Sequence, residues 1–320
     1  MLKSVLNICI VNYKTPELVV DCLATLIPDL NDGMTVVVID NNSGDDSVSK
    51  IASWLVKNDL NQHCILIKLL INGGFSAGYN TAMKACPSNY YLLLNSDTLL
   101  RPGAVMMLLN AAKSNPEVGL IGPQLEWPDG AVQISCFRDP SPFGELIASA
   151  RTRHVTALLS RYVVAVPFAH IELNPQWISF AAVLIKDDML KSIGMLDEKF
   201  FMYFEDCEYC FRARTKGWKI IFLPSARVVH LHGQSSEVEK SIFSAKRLPR
   251  YYYASRARYF RLRYGVLGLT IANFAWYIGR IISKLRETFG TKTPHLPEMS
   301  YLDIWTNWKA PLQQDKPGKT

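Results

Sequence analysis

No tract of low complexity interrupts this chain of 320 residues, and its 49% hydrophobic and 20% charged composition is that of a globular protein. The length allows one large domain or two ordinary ones with a substantial buried core. Membrane-spanning runs are missing as well. The uncharged stretch Gly265 to Gly279 stops at fifteen residues, short of the roughly 20 that cross a bilayer. Met1 to Val11 holds one Lys and an apolar run that Asn12 ends too early for an h-region, so no cleavable signal peptide is expected. The seven cysteines are scattered and odd in number. Cys207 and Cys210 have no second pair at zinc spacing, and Glu208 and Tyr209 lie between them. Reduced thiols in the cytoplasm fit this better than a structural zinc or a disulfide framework. No nucleic-acid recognition module is visible either.

Acids are scarce in one region. From Lys240 to Lys292 there are twelve Lys or Arg against one acid, Glu287. That stretch is +11 in a chain of net +7, so the remainder is −4. Anionic lipid, an acidic substrate and a solvated helix face are all consistent with such a segment.

What is present begins with three short apolar runs. "LNICIVN" (6–12), "TVVVIDNNS" (35–43) and "YYLLLNSDT" (90–98) are rich in β-branched or aromatic residues and end in polar ones. Each predicts a buried strand. Helical patterns lie between them at Pro16–Ile27, Asp46–Lys57 and Phe75–Ala85. Alternation of this kind predicts an α/β fold with a doubly wound, mostly parallel sheet flanked by helices. Ligands then bind at the carboxyl ends of strands, where all three polar clusters fall. Any one cluster alone also reads as an ordinary Asn/Asp/Ser turn. "WISFAAVLIK" (177–186) predicts another strand, and "KIIFLP" and "ARVVHLH" predict two short ones with a turn near Pro224. Residues 125–175 read as a variable insertion, rich in proline.

Four stretches carry residues with chemistry. In "NGGFSAGYNTA" (72–82) the glycines allow close approach to a ligand at a helix start. No GK[ST] follows, no GxGxxG is formed, and helix packing explains the glycines equally well. In "LLLNSDT", Asp97 at a strand end suits Mg²⁺ or Mn²⁺; an Asx turn is the alternative. In "VVHLHGQSS" (228–236), His230 and His232 share a strand face, and one could complete a metal site or serve as a hydrogen-bonded structural His. In "YFEDCEYCFRARTKGW" (203–218), Glu205 and Asp206 stand about 100° apart on a helix. Glu208 and Arg212 make an i, i+4 surface pair, and Phe204, Cys207 and Phe211 form a core stripe.

Taken in order, "VNY", "DNNS", "NGGFSAGYN", "LLNSDT", "FMYFEDCEYCFRARTKGW" and "HLHGQSS" resemble the family-2 glycosyltransferases of the GT-A fold, over about residues 5–240. The resemblance is to the bacterial rhamnosyltransferase-like branch. It implies a catalytic domain at 1–240; beyond it the residue pattern predicts a basic, amphipathic helical extension at 241–290, and four prolines with little apolar periodicity predict a flexible tail at 291–320. The resemblance implies that Asn12, Tyr13, Asp40 and Asn42 border the nucleotide, and that Asn72, Gly74, Phe75, Gly78 and Asn80 lie near nucleotide and sugar. Asn95 and Ser96 join that site. Asn95 stands where the family's DxD element has its first acid, so Asp97 remains as the carboxylate ligand of Mg²⁺ or Mn²⁺, with His230 beside it. Asp206 corresponds to the catalytic base, and Glu205 is the alternative.

The activity implied is inverting transfer, from a nucleotide-sugar donor to a glycan or polyprenyl-linked acceptor in O-antigen or capsule synthesis. The first donor expected is dTDP-L-rhamnose; a UDP-sugar such as the galactofuranosyl donor is the alternative. A non-catalytic glycan-binding or scaffold protein is the rival of another class, favoured by Asn95 and opposed by Asp97, Asp206 and His230. The expected place is the cytoplasm, at the inner face of the membrane. There the Arg- and aromatic-rich segment 250–287 would lie against anionic lipid, or pack on the catalytic domain or a second subunit of a homo-oligomer. Nucleic acid is not an expected partner.

Overall fold

The computed structural model describes residues 4–166, 175–231, 238, 241, 244–290 and 296–313. In chain order the first half runs β1 (Ser4–Asn12), α1 (Pro16–Leu26), β2 (Met34–Asp40), α2 (Ser47–Lys57), β3 (Cys64–Lys68), α3 (Gly74–Ala85), β4 (Ser88–Asn95), β5 (Thr98–Leu100), α4 (Ala104–Ser114) and β6 (Val118–Glu126). The second half runs β7 (Cys136–Phe137), α5 (Pro142–Ala150), α6 (Arg153–Leu158), β8 (Trp177–Ile178), β9 (Ala182–Lys186), α7 (Asp187–Ile193), α8 (Glu205–Thr215) and β10 (Lys219–His230). A long helix, Arg250–Thr288, and a short one, Ser300–Asp303, follow.

Eight strands form one sheet in the order β3-β2-β1-β4-β9-β6-β10-β5, and β7 pairs with β8 separately. The half β3-β2-β1-β4 is parallel throughout. β9 runs antiparallel to β4 and β6, and β5 antiparallel to β10. Both faces are covered, which is why β1, β2 and β4 read as unbroken apolar runs. Leu6, Ile8 and Ile10 pack with Val19, Ile51 and Leu108 on one face. Cys9, Val37 and Leu93 pack with Tyr79, Met189 and Tyr209 on the other. The expected doubly wound sheet is present, and its parallel strands point their carboxyl ends at one rim.

Several elements differ from expectation. Residues 219–230 form one strand, β10, whose pairing with β6 shifts between Leu223 and Arg227. Pro224 falls within that shift and does not end the strand. Residues 177–186 split into β8 and β9, because Ser179 to Ala181 turn between the two sheets. β6 was hidden by Gly119, Gly122 and Pro123. A Cβ on Gly119 would stand 2.4 Å from Met189 Sδ, so the close packing of α7 on the sheet requires the glycine. The region 125–175 contains α5 and α6, and α5 packs along the long helix so closely that a Cβ on Gly279 would meet Ser149 Oγ at 2.1 Å.

The basic segment is also more deeply built in than its composition suggests. Tyr253 to Phe260 is buried throughout. Arg256 Nε pairs with Glu145 at 3.1 Å, Arg258 with Asp197 at 2.5 Å, and Arg263 with Asp139 at 3.8 Å. Those three cations are therefore not available to lipid. The expectation of a flexible tail from 291 is corrected for residues 296–313. Arg247 pairs with Asp303 at 2.7 Å, Tyr253 Oη bonds Ser300 Oγ at 3.1 Å, and Ile304 is buried.

Candidate active site

At the ends of β1 and β2, Asn12 and Asp40 are fully buried and spend their polar atoms on the loops themselves. Asn12 Nδ2 donates to Asp40 Oδ1 at 2.8 Å and to Ser43 Oγ at 3.1 Å, and Asn12 Oδ1 accepts from Thr15 N at 3.1 Å. Ser43 N donates to Asp40 Oδ2 at 3.2 Å. Asn12 and Asp40 thus shape the rim where the nucleotide is expected. Tyr13, 45% exposed, and Asn42, exposed with φ +57°, face solvent beside it.

The glycine-rich loop is tied to its neighbours in the same way. Asn41 was not singled out in the sequence, although it stands in "DNNS". Its Nδ2 donates to Gly74 O at 3.0 Å, and its Oδ1 accepts from Gly73 N at 3.3 Å. Asn72 Oδ1 accepts from Gly74 N at 2.9 Å. Gly74 has φ +83°, and a Cβ there would sit 2.0 Å from Phe201 O, the acceptor of the Phe75 N–H. Only glycine allows this approach. Gly78 lies against Val11, a packing role. Asn80 is buried; its Nδ2 donates to Leu196 O and Glu198 Oε1, both at 2.9 Å, and its Oδ1 accepts from Leu196 N at 3.1 Å. Asn80 therefore holds the loop that leads to α8. The Phe75 ring lies tilted against that of Tyr79, centroids 4.5 Å apart, and the Tyr79 hydroxyl donates to Leu94 O at 2.7 Å and to Asn95 Oδ1 at 3.3 Å.

Asn95, Ser96 and Asp97 turn the chain from β4 into β5. Asn95 N donates to Ala181 O at 2.9 Å, and the Ser96 and Thr15 hydroxyls stand 3.0 Å apart. β10 delivers His230 opposite Thr98, and Leu231 N donates to Asp97 O at 2.9 Å. This register places His230 Nε2 3.5 Å from Asp97 Oδ1, both side chains being buried. One carboxylate oxygen and one imidazole nitrogen form a donor set that suits Mg²⁺ or Mn²⁺. No group of three His, Cys, Asp or Glu residues is clustered for a metal among the described residues. The pair thus fits a cation that takes its remaining ligands from phosphate and water. His232 lies outside the described residues.

α8 brings the acids to the same rim. Tyr203 and Phe204 are both left-handed, at φ +70° and +66°, and this abrupt turn starts the helix at Glu205. Two successive left-handed non-glycine residues are strained, a feature that concentrates at functional sites. Burial pushes the Asp206 carboxyl up to about 6, against the pull of backbone N–H groups at Cys207 and Phe180. Asp206 Oδ1 accepts from Cys207 N at 2.8 Å, and the side chain is half-buried. Glu205 is buried, its Oε2 has no hydrogen-bond partner among the described residues, and burial followed by the neighbouring Asp206 pushes it well up. Phe180, beside Asp206, precedes Ala181, whose carbonyl accepts from Asn95. The two halves of the site therefore flank one turn. Tyr79 senses both: burial raises its hydroxyl most, and Asp97 and Glu205 are among the charges that add to it.

The rest of "YFEDCEYCFRARTKGW" is scaffold. Arg212 grips Glu208 with two bonds of 2.9 Å and also donates to Ile193 O and Met195 O, which makes it more than a surface pair. Cys207 and Cys210 are buried free thiols.

A family model described as "Glycosyltransferase like family 2" matches residues 5–254. The N-acetylglucosaminyl-diphospho-decaprenol L-rhamnosyltransferase of Mycobacterium tuberculosis is 29% identical over 153 residues, 46% of this chain and 48% of that protein. The O-antigen biosynthesis protein RfbC of Myxococcus xanthus is 27% identical over 180 residues, 54% of this chain and 13% of that one. The chain thus aligns with half or less of the length of these relatives. A solved mannosyltransferase from Pyrobaculum calidifontis, in complex with GDP-Man and Mn²⁺, superposes with a TM-score of 0.54 at 14% identity, covering 97% of this chain and 86% of that one. The fold is that of the GT-A enzymes. With the family match spanning the whole sheet and both halves of the rim, this chain belongs to the family-2 glycosyltransferases.

Proposed function

We propose that this protein transfers a sugar, with inversion, from a nucleotide-sugar donor to a glycan or lipid-linked acceptor of a surface polysaccharide. The observation that carries the reading is Asp206: a carboxyl held near neutrality, at a strained helix start, on the same rim as Asp97 and His230. A base with a pKa close to the working pH is the one that removes a hydroxyl proton most effectively. In the step proposed, an acceptor oxygen bonds to the anomeric carbon as that carbon's bond to the diphosphate oxygen breaks. The hydroxyl proton passes to Asp206. One base without a partner nucleophile gives inversion. Asp97 and His230 would hold a divalent cation that offsets charge on the leaving diphosphate. Tyr13 and Asn42 are the accessible groups on the nucleotide side.

L-rhamnose from dTDP-rhamnose is the first donor to test, because the relative from M. tuberculosis is a rhamnosyltransferase with a polyprenyl diphosphate acceptor in its name. A UDP-sugar is the second. A thermal-shift panel of dTDP, UDP, GDP and CMP, each with and without Mn²⁺, separates them. A nucleotide at about 100 times its Kd adds about 2.7 kcal/mol, a shift of several degrees. A metal-dependent shift with dTDP supports the rhamnosyl reading, and one with UDP alone replaces it. No shift with any nucleotide overturns the enzyme reading in favour of a glycan-binding scaffold. The cytoplasmic face of the membrane is the place this chemistry implies.

A further inference from the structure

The second half of the long helix carries a face that the described residues leave bare. Leu267, Ile271, Phe274, Ile278, Ile281 and Leu285 are each more than half exposed. Their spacing alternates between four and three residues, which stacks them in a single stripe. The opposite face, with Ala272, Trp276 and Gly279, is buried. Soluble monomers rarely leave so large a contiguous apolar surface in water. Between Gly265 and Ser283 the one charged residue, Arg280, is paired with Glu287 at 2.6 Å.

Cations bracket this stripe. At its start, Arg261 and Lys309 line a groove of about 620 Å³ together with Trp308 and Val266. At its end stand Lys284 and, at the start of α6, Arg153, both exposed; Arg286 of the helix bonds Arg151 O, at the end of α5 two residues before Arg153. None of Arg153, Arg261, Lys284 and Lys309 forms an ion pair among the described residues. Aromatic side chains run along the flank. Trp305 meets Phe274 edge-on at 5.7 Å, and Trp308 Nε1 donates to Thr270 Oγ1 at 3.1 Å.

We propose that this face docks the protein on an anionic bilayer surface, with the helix lying in the plane of the interface. An apolar stripe with cations at its ends and Trp beside it is the pattern of interfacial helices. By length and composition the whole helix could also cross a membrane. Its first half, however, is buried in the catalytic fold through Arg256 and Arg258, and Gly265, at φ 73° and ψ −172°, breaks the helix where the stripe begins. The alternating spacing would suit a coiled-coil partner as well. A second copy is the poorer fit, because parallel or antiparallel pairing would bring cationic end against cationic end.

The proposal rests on the helix and not on the donor reading. Full-length protein is sedimented with phosphatidylcholine vesicles, with and without phosphatidylglycerol, at low and high salt. Binding is expected with phosphatidylglycerol and is weakened by salt. Leu267→Glu with Ile278→Glu should lower the partition at least about 100-fold. Lys284→Gln with Lys309→Gln should lower it about 25-fold. Nucleotide-induced thermal shifts, measured on the same variants, should be unchanged, so failure of the donor reading shows up separately. Failure of the wild type to bind anionic vesicles, or wild-type binding by both double variants, overturns the proposal. A lipid-free dimer that Leu267→Glu with Ile278→Glu converts to monomer, without vesicle binding, assigns the face to a second copy instead.

Discussion

Replacing Asp206 by Asn should cut turnover by about 10²–10⁴-fold and stabilise the fold at the same time. The structure gives both halves of that expectation. Asp206 is raised from 3.8 to about 6, chiefly by burial. A raised carboxyl binds its proton more tightly when folded than when unfolded. Its contribution to stability is therefore complete below about pH 3.8 and is lost as pH rises through about 6. Roughly two pKa units correspond to at most about 3 kcal/mol at neutral pH. Asn has no charge to bury, and its Oδ1 still accepts from Cys207 N. Asp206→Asn should thus match the wild type near pH 4 and melt several degrees higher at pH 7.5. Loss of a general base costs about 10²–10⁴-fold in rate. The wild-type kcat/KM should show an acid limb near pH 6 as the base loses its proton. The assays are thermal unfolding between pH 4 and 7.5, and sugar transfer from the donor that the nucleotide panel selects. A variant that keeps near wild-type turnover refutes the assignment. One that loses both activity and stability refutes the electrostatic argument, because the loss would then be structural.

Four further outcomes follow from the same geometry. Glu205→Gln should keep turnover within a few fold and leave stability at neutral pH unchanged or higher, since burial already favours the neutral carboxyl; a folded but inactive variant would move the base to Glu205. Asp97→Ala and His230→Ala should each remove the Mn²⁺-dependent part of the nucleotide thermal shift; a full metal response in both would place the cation elsewhere. Gly74→Ala sets a Cβ 2.0 Å from Phe201 O at φ +83°, and should cost about 3 kcal/mol in urea unfolding. Arg256→Met removes a buried guanidinium and leaves the half-buried Glu145 carboxylate without its partner, and should cost about 2 kcal/mol; a neutral result would return this arginine to the surface.

The site was legible in outline, and the bonds that hold it were not. The strand-end clusters pointed to the rim because polar residues closing an apolar run have few other places to go. Asn12, Asp40 and Asn80 were taken as ligand contacts because an Asn or Asp beside a binding loop looks the same whether its polar atoms are free or used. Asn12 meets Asp40 28 residues on, and Asn80 meets Leu196 and Glu198 116 and 118 residues on; no local pattern reveals those partners, although the bonds from Thr15 to Asn12 and from Ser43 to Asp40 span only three residues each. Asn41, one residue from a chosen candidate, was passed over for the same reason. The basic segment left several readings open, and only the tertiary structure divides them. Arg256, Arg258 and Arg263 read as a cationic face, yet Glu145, Asp197 and Asp139, each more than fifty residues away, draw them inward.

The amino-acid order alone determined the class of fold. A strand buried on both faces must be apolar along its whole length, and a helix covering it must be apolar on one side. β1, β2 and β4, and the helices between them, obey these rules within the local sequence. The succession of motifs likewise determined the family. Tertiary structure decided what each charged or polar group is free to do. Burial and the long-range pairings set Asp206 near neutrality, sealed Glu205, tied down Asn80, and left only one side of the long helix bare. Those outcomes depend on which distant residues meet, and meeting is settled by the packing of the whole chain.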